Sequence, residues 1–117
     1  MLVAEADATP VGFGCAIGAH DSQWGTLLDN LHVLADRQGS GIGRGLVRRI
    51  AQWTSSRYPD GGLYLWVLEQ NTAAREFYRR MGGRDVGGEL WTPPGGGRVT
   101  RQRYAWTPSE LLTLLER

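Results

Sequence analysis

Residues 36–47, with the sequence DRQGSGIGRGLV, form a glycine-rich segment between an apolar, strand-like run and an amphipathic stretch typical of a helix. Such a turn leaves the first helical amides without intrahelical partners and directs the positive end of the helix dipole at one point. Phosphate and pyrophosphate are the ligands that suit this arrangement best. Two common nucleotide motifs are excluded by the spacing, because Leu46 stands where a dinucleotide fingerprint requires its third glycine and the chain has no Gly-Lys-Ser/Thr triplet.

The segment resembles the acyl-coenzyme A signature of the GNAT superfamily of N-acetyltransferases, Gln/Arg-x-x-Gly-x-Gly/Ala. Here the signature reads Gln38-x-x-Gly41-x-Gly43, and it departs from the usual surroundings at Ala35, where proline is common. Residues 65–82 resemble the family's later strand and helix, with the motif residues Asn71, Ala74, Phe77 and Tyr78. Two motifs in the right order and at a natural separation make the resemblance strong.

Periodicity and turn signals predict nine elements in the order β-β-β-α-β-α-β-β-α. The strands are expected at 2–6, 11–19, 26–34, 63–68, 84–90 and 98–106, and the helices at 42–56, 71–81 and 109–117, the last capped by Thr107. This order indicates an α/β (α+β) fold with a mixed, mostly antiparallel central sheet flanked by helices, in one domain covering residues 1–117. The resemblance implies the acyl-CoA N-acyltransferase (GNAT-like) fold, N-terminally short.

Composition agrees with one small globular domain. The 117 residues carry a formal net charge of +1 with scattered charges, so neither a nucleic-acid partner nor an acidic partner is indicated. The single cysteine, Cys15, lies in a strand-like run and fits a reducing, cytoplasmic compartment. There is no apolar run long enough to span a membrane and no cluster of metal-ligand residues, so neither a membrane partner nor a metal is expected.

GNAT domains usually begin with a strand and two helices that wall the acceptor site, whereas here Met1 leads directly into the first hairpin. A partner subunit or the C-terminal helix would then fill that place. The helix carries four leucines that need burial, at Leu111, Leu112, Leu114 and Leu115. We therefore predict a homodimer.

The resemblance implies acetyl transfer from acetyl-CoA, as acyl donor, to a small-molecule or peptide amine. The alternative is a non-catalytic acyl-CoA-binding or regulatory module. The implied pyrophosphate contacts are the glycine-rich segment and its neighbours, namely Gln38, Gly39, Ser40, Gly41, Ile42, Gly43 and Arg44. By position in the family, the backbone amides of Leu31 and Val33 face the thioester carbonyl.

Tyr78 occupies the position of the family's general-acid tyrosine. A phenol with a pKa of about 10 is neutral at pH 7 and can protonate the leaving thiolate. The competing interpretation is a core aromatic whose hydroxyl reaches a backbone carbonyl. Asn71 is expected to cap its helix and to bind the pantetheine arm as well, while Ala74 allows the cofactor to approach closely.

The general base has the weakest signal. Alternation along residues 26–34 places Leu27, Asp29, Leu31 and Val33 on one face and His32 on the other. In GNAT proteins the base often comes from the strand before the glycine-rich loop, on the face of the cofactor-contacting residues. The resemblance therefore implies Asp29 as the base, acting through water, with a solvated strand residue as the other interpretation. We expect His32 to be a half-buried structural residue. Trp91 is a candidate for the wall of the acceptor pocket.

Overall fold

The architecture follows from a computed structural model that describes residues 2–6, 9–34, 39 and 41–116, with side chains from residue 11 onward. The order of the nine elements is as predicted. They are β1 (Leu2–Ala6), β2 (Thr9–Asp21), β3 (Gly25–Val33), α1 (Ile42–Arg57), β4 (Leu63–Leu68), α2 (Thr72–Arg80), β5 (Arg84–Trp91), β6 (Val99–Trp106) and α3 (Pro108–Leu115). None of the helices in this described part is both long and apolar enough to cross a bilayer.

The strands form one six-stranded sheet in the order β1-β2-β3-β4-β6-β5. Every neighbouring pair is antiparallel except β3 and β4, which run parallel, so the predicted mixed, mostly antiparallel sheet is confirmed. Pairing between β3 and β4 is recorded only at their first residues, Thr26 with Leu63 and Leu27 with Tyr64. The two strands then diverge toward their carboxyl ends, and the sheet splays open in its middle.

All three helices contribute to a hydrophobic cluster on one face of the sheet. It joins Val47 and Ile50 of α1 and Leu111 of α3 to the strand residues Leu63 and Leu65, and the side chains of α2 pack against it. The sheet is therefore covered by these helices on one face, where the prediction of a flanked sheet left the faces unspecified.

The predicted start of the last helix is confirmed. The Glu110 amide donates to the Thr107 hydroxyl at 3.1 Å, and the Thr107 amide donates to the Glu110 carboxylate at 2.9 Å. The helix buries Leu111 and Leu114 against α1, while Leu112 is 56% exposed. It therefore does not fill the place beside the acceptor site that the sequence suggested for it.

The opposite face of the sheet carries a smaller cluster built only from strand and turn residues. Its buried members are Leu27, Tyr64 and Ala105, and Trp24 and Trp66 pack against them. No helix of the described chain contributes to this cluster. We call this surface the helix-free face.

Candidate active site

The glycine-rich turn presents a helix N-terminus without a side-chain cap. Gly39 and Gly41 have φ angles of 84° and 88°, a left-handed backbone that glycine adopts without strain. The first intrahelical bond runs from the Gly45 amide to the Gly41 carbonyl, at 3.0 Å. The amides of residues 42–44 precede that bond, and the first turn of α1 contains no acidic side chain. These amides suit an anion.

The predicted contacts Gln38 and Ser40 lie outside the described residues. Ile42, Gly43 and Arg44 form the first turn of α1, with Arg44 exposed. Apart from their chain neighbours, no atom of the described residues would lie within 4 Å of the β-carbons that Gly39 and Gly41 lack. The surface around the turn is therefore open to a ligand.

The first turn of α1 packs beside the end of β3 and the middle of α2. A β-carbon placed on Gly43 would lie 3.5 Å from Phe77 Cζ and 3.7 Å from Val33 Cγ2. The two sequence motifs, which are about thirty residues apart, therefore meet in space at the carboxyl ends of the parallel strands β3 and β4. Such ends are where open α/β sheets bind their ligands.

The splay directs backbone amides of β3 toward the gap. The Leu34 amide donates to the Val11 carbonyl of β2 at 2.8 Å. Amides alternate between the two edges of a strand, so those of Leu31 and Val33 are directed to the β4 side. No pair with β4 is recorded at Leu31. This geometry agrees with the predicted orientation of the two amides.

A β-bulge interrupts β3 at Asp29. Cys15 of β2 pairs with Asn30 and Ala16 pairs with Leu28, so Asp29 is an extra residue without a partner on β2. A bulge of this kind shifts which side chains share a face of the sheet.

The prediction that Leu27, Asp29, Leu31 and Val33 share one face is therefore wrong. Leu27 packs in the cluster of the helix-free face, whereas Leu31 packs against the cluster under the helices. Val33 also lies on the helix side, beside Gly43. Strand alternation had failed to anticipate the bulge.

Asp29 lines a cavity of about 410 Å³ that lies between the diverging strands. Side chains from five strands surround it, including His20, Asp29, Trp66, Leu68, Trp91 and Arg101. The predicted contribution of Trp91 to the pocket wall agrees with this arrangement. Asp29 itself is exposed, and the described residues hold no group of three or more His, Cys, Asp or Glu side chains suited to a metal.

Sequence reasoning missed His20, which reaches this cavity from the end of β2. Its Nδ1 lies 2.6 Å from the Tyr64 hydroxyl oxygen, within hydrogen-bond distance. Tyr64 is 3% exposed, and burial raises its pKa above the ordinary value. The only sequence signal was a histidine near a strand end. His32, in contrast, is exposed rather than half-buried, and its ring lies 5.7 Å from that of Phe13.

A larger cavity of about 530 Å³ lies elsewhere, between the β2–β3 turn and the residues around Trp106. Arg57 and Tyr58, at the C-terminal end of α1, contribute to its lining. A helix C-terminus carries the negative end of the dipole and repels anions. We therefore assign the candidate site to the smaller cavity in the splay and to the adjacent helix N-termini.

Tyr78 lies on the inner face of α2, as its spacing indicates. Burial raises the pKa of its hydroxyl to about 12. The hydroxyl has no hydrogen bond to any described residue, so the hydrogen bond to a backbone carbonyl that the purely structural interpretation requires is not present there.

Asn71 caps α2 as predicted, because its side-chain oxygen accepts a hydrogen bond from the Ala74 amide at 3.2 Å.

Residues 1–83 match the Acetyltransferase (GNAT) family. The chain belongs to this family. It is also 32% identical over 111 residues to the probable N-acetyltransferase Rv2775 of Mycobacterium tuberculosis, an alignment that covers 89% of this chain and 58% of that relative. The chain thus spans less than two thirds of the length of this curated relative.

Solved structures share the GNAT fold. The Naa20 protein of Chaetomium thermophilum, in complex with a bisubstrate analogue, superposes with a TM-score of 0.79 at 16% identity, over 95% of this chain and 67% of that one. The NAA60 protein of Arabidopsis thaliana, in complex with acetyl-CoA, gives a TM-score of 0.69 at 24% identity, over 88% and 70%. The predicted GNAT-like fold is confirmed.

Proposed function

We propose that this GNAT chain is an N-acetyltransferase that moves an acetyl group from acetyl-CoA to a primary amine. One observation carries the proposal: the uncapped N-terminus of α1 lies beside the carboxyl end of β3, on the side where β3 and β4 diverge, so amides suited to an anion adjoin the splay. The relative named a probable N-acetyltransferase and the similar fold bound to acetyl-CoA support it.

The donor's pyrophosphate would be held by the amides of Ile42, Gly43 and Arg44, with the Arg44 side chain as a further donor. The left-handed turn at Gly39 and Gly41 keeps side chains away from that position. Gln38 and Ser40 join this set through the signature alone. Acetyl-CoA supplies the activated acyl group, a thioester, when it is bound.

The amides of Leu31 and Val33 would orient the acyl carbonyl and stabilise negative charge on its oxygen. Backbone amide donors of this kind are effective because the strand fixes them before the reaction. Asn71, whose side-chain oxygen is engaged in capping, retains an NH₂ group for the pantetheine arm. Ala74, beside it, leaves room for that arm.

Tyr78 would assist departure of the thiolate by donating a hydrogen bond to sulfur. A hydroxyl with a pKa of about 12 is a weaker acid than an aliphatic thiol with a pKa of about 8.5. Full proton transfer from Tyr78 would therefore cost about 5 kcal/mol. The phenol acts mainly as a neutral donor, and the final proton comes from solvent.

Asp29 would remove the proton from the acceptor ammonium, directly or through water. Deprotonating an alkylamine with a pKa of about 10 costs about 4 kcal/mol at pH 7. A carboxylate at the cavity wall supplies an acceptor for that proton as the amine attacks. The bulge supports this role, because it turns Asp29 out of the regular ladder and toward the gap.

The proposal includes a single domain at residues 1–117, a cytoplasmic location and a homodimer. The single cysteine is compatible with a cytoplasmic location. Leu112, which is 56% exposed, is compatible with a homodimer. Sedimentation equilibrium across a hundredfold concentration range tests the dimer, and a constant monomer mass would contradict it.

Calorimetric titration with acetyl-CoA tests the central proposal. We expect binding by the wild-type chain and its loss when Gly41 and Gly43 are both changed to valine, with Gly45→Ala as the matched control. Gly45 lies in the same helix turn, and a β-carbon there meets no other atom within 4 Å. Absence of wild-type binding would refute the proposal. Binding without acetyl transfer to any amine in a screen would favour the non-catalytic module.

A further inference from the structure

The cavity in the splay has charges of opposite sign on opposite walls. Asp29 lines it from β3, and Arg101 lines it from β6, with β4 between them in the sheet. The two side chains form no ion pair with each other. Neighbouring strands lie about 5 Å apart, so the two backbones are about 10 Å apart or more across the splay.

Two indoles contact Arg101: Trp66 on β4 lies between the two charges in the sheet order, and Trp91 on β5 lies on the far side of Arg101. The Arg101 guanidinium carbon lies 3.9 Å from the centre of the Trp66 ring and 5.2 Å from that of Trp91. Both indoles line the cavity. Arg103 also lies over Trp66, at 4.3 Å. The helix-free face thus carries a wall of indoles and guanidinium groups, with Arg101 and Arg103 stacked on Trp66.

Arg101 retains donors for a ligand. The Glu89 carboxylate accepts hydrogen bonds from its Nε at 3.0 Å and from its Nη2 at 2.6 Å. The other terminal nitrogen has no hydrogen bond to a described residue. Arg103 makes no ion pair within the described chain, and its Nε is buried without a partner. Glu89 therefore pairs with Arg101, while Asp21 interacts with Arg103 only through its electrostatic field, without an ion pair.

We propose that the acceptor is an amino acid, a small molecule that carries a carboxylate as well as the primary amine, with an apolar or aromatic side chain. This rests on the acetyl-transfer function proposed above. The ammonium would lie at Asp29 and the carboxylate at Arg101. The side chain would lie against the apolar lining of Leu27, Leu68 and Trp91. Guanidinium groups bind carboxylates with paired hydrogen bonds, and a ligand of this size fits a cavity of about 410 Å³.

Three matched probes separate the contributions to binding: L-phenylalanine, 2-phenylethylamine, which lacks the carboxylate, and 3-phenylpropionate, which lacks the amine. Dissociation constants are measured by NMR from the indole N–H signals of Trp66 and Trp91, in the presence of saturating coenzyme A. We expect phenylalanine to bind at least tenfold more tightly than either partial probe. Equal affinities, or no phenylalanine binding at 10 mM (roughly the weak limit of small-ligand recognition), would overturn the proposal.

Two variants should change the preference for phenylalanine over phenylethylamine in opposite directions. Arg101→Gln should abolish the preference for phenylalanine over phenylethylamine, and Glu89→Gln should strengthen phenylalanine binding about threefold by removing the competing carboxylate. Loss of folding cannot produce both results. Arg80→Gln, on the exposed side of α2, is the control. Acetyl-CoA binding is measured for each protein: if it is intact while the preference is absent, only the acceptor assignment fails.

Discussion

The ring of Tyr78 packs edge-on against the indole of Trp106, with the ring centres 6.4 Å apart and the planes at 82°. The ring of Phe77 also packs edge-on against that of Tyr78, with the ring centres 5.0 Å apart and the planes at 71°. Two aromatic neighbours fix the ring of Tyr78 while its hydroxyl stays without a described partner. Ring packing therefore fixes the position of the phenol, and its hydroxyl is available to a ligand.

Removing that hydroxyl should impair catalysis and leave folding intact. For Tyr78→Phe we expect kcat to fall about ten- to a hundredfold, the loss of one hydrogen bond to a charged atom, with the KM for acetyl-CoA within about twofold. Thermal unfolding at pH 7 should be unchanged, because the hydroxyl makes no described bond. Tyr58→Phe removes a phenol near the C-terminal end of α1 and serves as the control. Unaltered kcat would assign Tyr78 a purely structural role.

Alkaline unfolding should report the raised pKa of Tyr78. The folded-state value is about 12 and the unfolded value about 10, so above pH 10 the unfolded chain releases a proton that the folded chain retains. The stability contributed by this group is complete below pH 10 and is lost between pH 10 and pH 12, by about 3 kcal/mol in total. Urea unfolding at pH 8 to 11 should therefore show a smaller decline for Tyr78→Phe than for the wild type. Parallel declines would contradict the prediction.

Alanine substitutions at Gly41 and Gly45 should change the free energy of unfolding in opposite directions, because one introduces backbone strain and the other improves helix propensity. Gly41→Ala forces a φ of 88° on a residue with a β-carbon and should lower the free energy of unfolding by roughly 1 kcal/mol. Gly45→Ala lies within α1 in open space and should raise it by about 1 kcal/mol. Chemical denaturation measures both. Shifts of the same sign would show that the turn does not have this conformation.

The sequence predicted the order of the elements well because local signals agreed with one another. The capping box at Thr107 and Glu110 and the glycine turn before α1 are encoded within a few residues. Helical periodicity alone would place Trp53 beside Ile50 on α1. Trp53 is nevertheless 41% exposed, because the buried stripe runs through Val47, Ile50, Ala51 and Thr54.

The site was less predictable because it depends on contacts between distant segments. A bulge at Asp29 cannot be located from alternation alone, since one extra residue leaves the composition of the strand unchanged. The pairing of His20 with Tyr64 joins residues 44 positions apart. The aromatic and arginine surface of the helix-free face arises from three separate strands and a turn, and no local motif encodes it.

The capping box of α3 should contribute measurably to stability. Thr107→Ala removes the oxygen that accepts from the Glu110 amide, and we expect a loss of about 1 kcal/mol in the free energy of unfolding. Ser109→Ala changes an exposed hydroxyl in the same first turn and should have an effect below about 0.5 kcal/mol. Equal effects in thermal unfolding would show that the cap is not formed in solution.

Asp29 offers the sharpest test of the proton-transfer step. For Asp29→Asn we expect kcat/KM to fall about tenfold or more at pH 7, because the acceptor amine, with a pKa of about 10, then lacks a group to receive its proton. The deficit should narrow toward pH 10, where a growing fraction of the amine is already neutral. Asp60→Asn, in an exposed turn, is the control for the loss of one carboxylate. A deficit that stays constant from pH 7 to pH 10 would indicate that Asp29 only binds the acceptor, and a pH–rate profile identical to that of the wild type would exclude Asp29 as the base.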